Sequence, residues 1–238
     1  MSKKLENWLF GKWGPLEKAA GEWIKDVIWP EGAFCCACGR VTKGGGLCAE
    51  CRESLLHDGV FFAWERDDPE PDLTAWSLRP HDGVPRELIL RLKYGAEARA
   101  AGLLSELLLP LPPDIFFPPE TVVTWVTMPK SRRRERCIDH GRLLAETFAE
   151  KLGLNCRQLL DRRDKHEKSQ ATLGREQREA NLVGAFTPKE QITFPVLIVD
   201  DVRTTGTTLC RCAAALRAGG AEELFALTVT APHRGLSM

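Results

Sequence analysis

The thirteen residues Val196–Thr208, VLIVDDVRTTGTT, constrain the chain more than any other stretch. Four consecutive apolar residues, Val196-Leu197-Ile198-Val199, read as a strand buried on both faces, as in a parallel sheet covered by helices on each side. Asp200 and Asp201 follow at its carboxyl end, the edge at which open α/β sheets bind ligands. Thr204-Thr205-Gly206-Thr207-Thr208 then turns into a helix predicted over 207–218 and closed by Gly219-Gly220. Backbone N–H groups at a helix start, with the positive end of the dipole behind them, favour a phosphate dianion. Gly206 permits close approach, and threonine hydroxyls add uncharged donors. Two carboxylates would repel a phosphate if they touched it. They suit a neighbouring diol, because an ionised carboxylate only accepts hydrogen bonds. Each feature alone is also what a strand end and a helix cap produce. In this order and without gaps they describe a socket for ribose 5-phosphate.

The same segment resembles, at nearly every position, the phosphoribosyl-pyrophosphate (PRPP) signature of type I phosphoribosyltransferases. That resemblance implies that Asp200 and Asp201 hold the ribose 2′- and 3′-hydroxyls. It implies that Thr204, Thr205, Gly206, Thr207 and Thr208 hold the 5′-phosphate. It also implies Mg²⁺ alongside PRPP, whose pyrophosphate carries several charges.

The surrounding sequence alternates strand and helix. Strands are predicted at Val60–Trp64, Leu73–Leu78, Val122–Thr127, Asn155–Leu160 and Glu223–Val229. Helices are predicted at Val84–Lys93 and Glu97–Leu109, hinged at Tyr94-Gly95, and at Asp139–Leu152, ended by Gly153. Leu173–Asn181 is polar and reads as a helix or lid. Leu111–Pro119 is a proline-rich linker leading into the nucleotide-binding part. Such alternation implies right-handed βαβ crossovers and a mostly parallel sheet flanked by helices, an α/β fold of the type I phosphoribosyltransferase kind.

Five of the nine cysteines crowd into Cys35–Cys51. Cys35-x-x-Cys38 and Cys48-x-x-Cys51 are two knuckles whose thiolates converge on one tetrahedral ion, and soft sulfur favours Zn²⁺. A redox pair is the weaker rival, since thioredoxin-like sites use one such knuckle on a βαβ unit. Ligand type alone leaves an iron–sulfur cluster open. Cys36 reads as a spectator. A structural zinc would hold together a module too small to own a core. The organisation expected is therefore an amphipathic N-terminal helical segment at 1–34, a four-cysteine zinc-ribbon module at 35–58, and a phosphoribosyltransferase-like domain at 59–238.

Lys+Arg and Asp+Glu both number 33, so net charge decides nothing about nucleic acid. Local charge does more. Met128–Asn181 holds fourteen Lys/Arg against nine Asp/Glu, a net of +5. Lys130, Arg132, Arg133, Arg134 and Arg136 cluster there, and guanidinium forks suit phosphate oxygens, whether of pyrophosphate or of a DNA backbone. Lys93, before Tyr94-Gly95, is a further candidate for either. The bland reading is a solvated face of mixed charge. The histidines, His140 included, read as surface residues. No apolar run nears the ~18 residues of a membrane helix. The start MSKKLENW has no apolar signal core, so a reducing cytoplasm is expected. Trp8, Trp13, Trp23 and Trp29 mark the N-terminal helix, which is expected to pack on the rest of the protein.

Both motifs in this order resemble the ComF family of competence proteins, over roughly residues 27–232. Ile28-Trp29-Pro30, Arg86–Tyr94, Arg132–Arg136 and Asn181–Phe186 carry further likeness. The resemblance implies a zinc module fused to a phosphoribosyltransferase-like domain. It implies a role in handling single-stranded DNA during natural transformation, beside DNA-uptake machinery proteins. The tryptophan-rich N-terminus would then dock a partner or the inner membrane face. The chain departs from the family where Cys137-Ile138-Asp139-His140 replaces Gly-Phe-Asn-Gln, and at Val126-Thr127-Met128-Pro129. The alternative is an active enzyme that transfers ribose 5-phosphate from PRPP to an acceptor.

Overall fold

The computed structural model describes residues 33–42, 46–57, 62–63, 73–95, 97–107, 111, 115–129, 138–163 and 184–232. The tryptophan-rich helix, Lys130–Arg136 and Leu173–Asn181 lie outside these residues.

Six strands form the main sheet: β1 (Phe62–Ala63), β2 (Leu73–Pro80), β3 (Val122–Trp125), β4 (Asn155–Cys156), β7 (Val196–Val202) and β8 (Leu224–Ala231). Their order is β1-β2-β8-β7-β3-β4. All neighbours are parallel except β1, which runs antiparallel along β2 at the edge. A small second sheet pairs β5 (Leu160–Arg162) with β6 (Phe186–Pro188), antiparallel. The helices among the described residues are α1 (Ala49–His57), α2 (Gly83–Tyr94), α3 (Arg99–Leu107), α4 (His140–Leu152) and α5 (Thr207–Ala218).

Side-chain alternation along β7 builds two cores. Val196 and Ile198 face α5, in a cluster with Leu209, Cys212 and Leu216. Leu197 and Val199 face the other way, packed with Leu144 and Phe148 of α4. This is the double-sided burial that a four-residue apolar run demands.

The proline-rich stretch marks no boundary within this sheet. β2, which precedes it, pairs with β8 from Leu73–Leu224 to Pro80–Ala231. Strand Asn155–Leu160 is in fact two short ones in different sheets, because Leu159 and Leu160 turn into the second core. Asp139 caps α4 by accepting from the Arg142 N–H at 3.2 Å. Gly153 ends that helix at φ 69°, a left-handed conformation that favours glycine.

The cysteine module does not stand apart. Cys35, Cys36, Leu47 and Leu55 share one continuous core with Leu88 of α2 and Leu104 of α3.

Candidate functional site

β3 leads through α4 to β4 on one side, whereas β7 leads through α5 to β8 on the other. The two helices cover opposite faces. The chain therefore reverses its winding between β3 and β7, and the crevice outside their carboxyl ends is the place where such sheets take ligands.

The predicted loop sits at that crevice. Gly206 is buried and holds φ 79°, ψ −8° as the residue that opens α5. The helix starts at Thr207, with its first backbone bond from the Cys210 N–H to the Gly206 carbonyl. Thr204 and Thr205 are exposed, and the Thr205 and Thr207 hydroxyls lie 2.9 Å apart. The N–H groups of the first turn have no partner within the helix, and the Thr207 N–H donates to Thr205 Oγ1 at 3.5 Å; a helix start with hydroxyls beside it suits a phosphate.

Asp200 and Asp201 leave the strand on opposite faces. Asp201 is buried against α2 and α4. Its Oδ1 accepts from Lys93 Nζ at 2.8 Å, and its Oδ2 lies 3.1 Å from His140 Nε2. Burial pushes the Asp201 carboxyl up, but His140 and Lys93 outweigh it and hold the group below the usual carboxylate range. Asp200 is only partly buried and has no such partners among the described residues. Its Oδ1 accepts from the Asp201 N–H at 2.9 Å. Burial, and then the Asp201 charge, push it up to about 7.

A polar layer lines the next strands at the same edge. Ser77 Oγ meets Thr228 Oγ1 at 2.7 Å, and Arg203 Nε donates to Ser77 at 3.1 Å. His81 Nδ1 lies 2.8 Å from Thr230 Oγ1. Burial, then the nearby charges of Lys93 and Arg86, lower the His81 pKa.

His140 is not the surface histidine expected: it is buried at the first turn of α4, with its ring against Asp201. Ser77, Thr228 and Thr230 are further polar residues of this edge that the sequence reading does not single out. Their signal is present, since Ala226, Thr228 and Thr230 share one face of an otherwise apolar strand. Lys93, one of the anion candidates, is held at Asp201. Lys130, Arg132, Arg133, Arg134 and Arg136 lie outside the described residues.

The four predicted metal ligands do converge. The sulfurs of Cys35, Cys38, Cys48 and Cys51 all lie within 4.8 Å of one another. Cys38 and Cys48 sulfurs are 3.8 Å apart, and a tetrahedral ion with Zn–S bonds of ~2.3 Å sets its ligands about 3.8 Å apart. Desolvation raises the Cys35 thiol, but backbone N–H groups of Cys48, Cys38 and Ala37 aimed at its sulfur bring it down to about 6. Gly39 and Gly46 supply positive φ at the two knuckles. These four thiols can hold a zinc ion. Among the described residues no helix is long and apolar enough to cross a membrane.

No family model matches the chain, and no curated protein matches it. Solved structures of similar arrangement include phosphoribosyltransferases and a PRPP amidotransferase. A glutamine PRPP amidotransferase from B. subtilis, complexed with ADP and GMP, is 18% identical over 56% of this chain and 26% of that one, with a TM-score of 0.36. A phosphoribosyltransferase from Corynebacterium diphtheriae is 18% identical over 77% of this chain and 82% of that one, TM-score 0.33. Adenine phosphoribosyltransferase from Leishmania tarentolae is 13% identical over 76% and 87%, TM-score 0.33. The match spans about a quarter of the amidotransferase. At scores this low the likeness carries no argument about what the present chain binds.

Proposed function

We propose that the chain is a zinc-holding, PRPP-binding protein of the ComF kind, which handles single-stranded DNA in DNA uptake. One observation carries the ligand: a buried parallel strand ends in two carboxylates at the sheet's switch point and passes through a left-handed glycine into a helix N-terminus. The loop takes the 5′-phosphate, and the acid pair stands beside the ribose. Mg²⁺ bound with PRPP would neutralise its pyrophosphate. The protein's own part is to fix the sugar phosphate and to keep the acid pair beside it in its two distinct electrostatic states.

The DNA part rests on the two motifs in family order and on the +5 excess of Met128–Asn181. Turnover of PRPP needs an acceptor site, and none of the described residues at the crevice singles one out; binding is the reading preferred on the family resemblance and the local charge excess.

Calorimetry tests the proposal. PRPP titrated into the zinc-loaded protein should bind at one site, more tightly with Mg²⁺ than without. No heat of binding under either condition would sink it. Release of pyrophosphate with a nucleobase would convert the binding protein into an enzyme.

A further inference from the structure

Asp200 and Asp201 are neighbours in sequence, yet they occupy different surroundings. The Asp201 side chain is 6% exposed, with one oxygen on Lys93 at 2.8 Å and the other 3.1 Å from His140. Lys93 stands in the last turn of α2, and His140 in the first turn of α4. A carboxylate so enclosed joins two helices across the end of β7. It has little surface left for a ligand hydroxyl. Asp200 faces the opposite side of the strand, is partly open, and among the described residues commits only its Oδ1, to a backbone N–H.

We infer that Asp201 is a positioning residue rather than a ligand contact: clamped by Lys93 and His140, it braces the ends of α2 and α4 beside the crevice and leaves the sugar diol to Asp200. This inference rests on the sugar-phosphate reading of the site. It divides two roles that the resemblance gives jointly to both acids. It also gives His140 a role, with its Nε2 set 3.1 Å from Asp201 Oδ2 at the start of α4. Glutamine can donate a hydrogen bond from the same place, whereas alanine cannot.

The experiment compares ribose 5-phosphate with 2-deoxyribose 5-phosphate, which lacks one hydroxyl of the diol. Dissociation constants are measured for the zinc-loaded wild-type protein and for Asp200→Asn, Asp201→Asn, His140→Gln, His140→Ala and Lys93→Met. Wild type should prefer ribose 5-phosphate by roughly ten- to hundredfold, the scale of one hydrogen bond to a charged acceptor. Asp200→Asn should erase that preference. Asp201→Asn should weaken both sugars by the same factor and keep the preference. His140→Ala and Lys93→Met should do likewise, and they stand in for Asp201→Asn if that variant does not fold. His140→Gln should restore near wild-type binding of both.

The inference is overturned if Asp201→Asn erases the preference while Asp200→Asn retains it. It is also overturned if the clamp variants lower the melting temperature but change neither dissociation constant, for then the clamp is only structural. Wild type binding neither sugar phosphate is a different failure. That result removes the sugar-phosphate reading itself, and this division of roles with it.

Discussion

The backbone N–H of Asp201 donates to Asp200 Oδ1 over 2.9 Å, so two consecutive acids are tied together while their carboxylates face opposite sides of one strand. The electrostatic outcome is a split pair, with Asp201 held low and Asp200 pushed up to about 7 from its ordinary 3.8.

A pH dependence of stability follows from Asp200. Its raised value means that the folded protein binds a proton more tightly than the unfolded chain. Between pH 3.8 and about 7 the folded state carries the extra proton, so this group's contribution to stability falls as pH rises through that window. Asp200→Asn removes the penalty. The variant should melt above wild type at pH 8, and the difference should vanish near pH 4. Thermal melts across that range check this; a difference independent of pH would refute the origin assigned to it.

Gly206→Ala tests the loop. At φ 79° a side chain is strained, costing about 1–2 kcal/mol. In a domain of this size each kcal/mol shifts the melting temperature by about 2–4 °C. The loop N–H groups would also relax away from a common target. PRPP affinity should therefore fall at least tenfold, more than the modest drop in melting temperature would produce. Calorimetry and melting on one sample decide it.

Zinc content is the third expectation. Purified protein should hold one zinc per chain on Cys35, Cys38, Cys48 and Cys51. Cys48→Ser should lose it and lower the melting temperature, since binding energy at such sites is folding energy. Cys36→Ser should keep the metal, because the Cys36 sulfur is outside the cluster of four. Atomic emission of each variant reads the outcome, and iron with sulfide in the wild type would contradict it.

The DNA reading predicts a salt slope. If Arg132, Arg133 and Arg134 contact a single strand through phosphates, the logarithm of affinity falls linearly with that of salt, by ~0.7 per phosphate. Reversing the three charges should flatten the slope and weaken all sequences alike. Fluorescence anisotropy with labelled oligonucleotides measures it. The same variant binding DNA normally but failing to bind PRPP would assign the cluster to pyrophosphate.

The left-handed Gly206 at the helix start, the buried strand and the convergence of the cysteine knuckles were legible because each is set by local chemistry: a glycine where φ is positive, apolar runs, thiols at fixed spacing. Helix 207–218 and its glycine stop follow from the same kind of signal. His140 was not legible, because its burial depends on Lys93 and Asp201, both distant in sequence, arriving at one point. β2 belongs to the main sheet for a similarly non-local reason, its pairing with β8. β6 went unpredicted because Phe186–Pro188 is three residues long and has no periodicity to read.

The pairing of β2 with β8 also bears on how the chain folds. Ser77 and Thr228, in register on the two strands, are 151 residues apart in sequence. At synthesis rates of about 5–20 residues per second, β2 leaves the ribosome roughly 8–30 s before its partner exists. Throughout that interval an apolar strand has its ladder groups open and its closing contact unavailable. Contacts this distant also slow folding after release, since loop closure precedes any reward from pairing. The nascent chain is thus a natural client for a holdase, and truncation upstream of Leu224 should yield an aggregating product rather than a smaller folded domain.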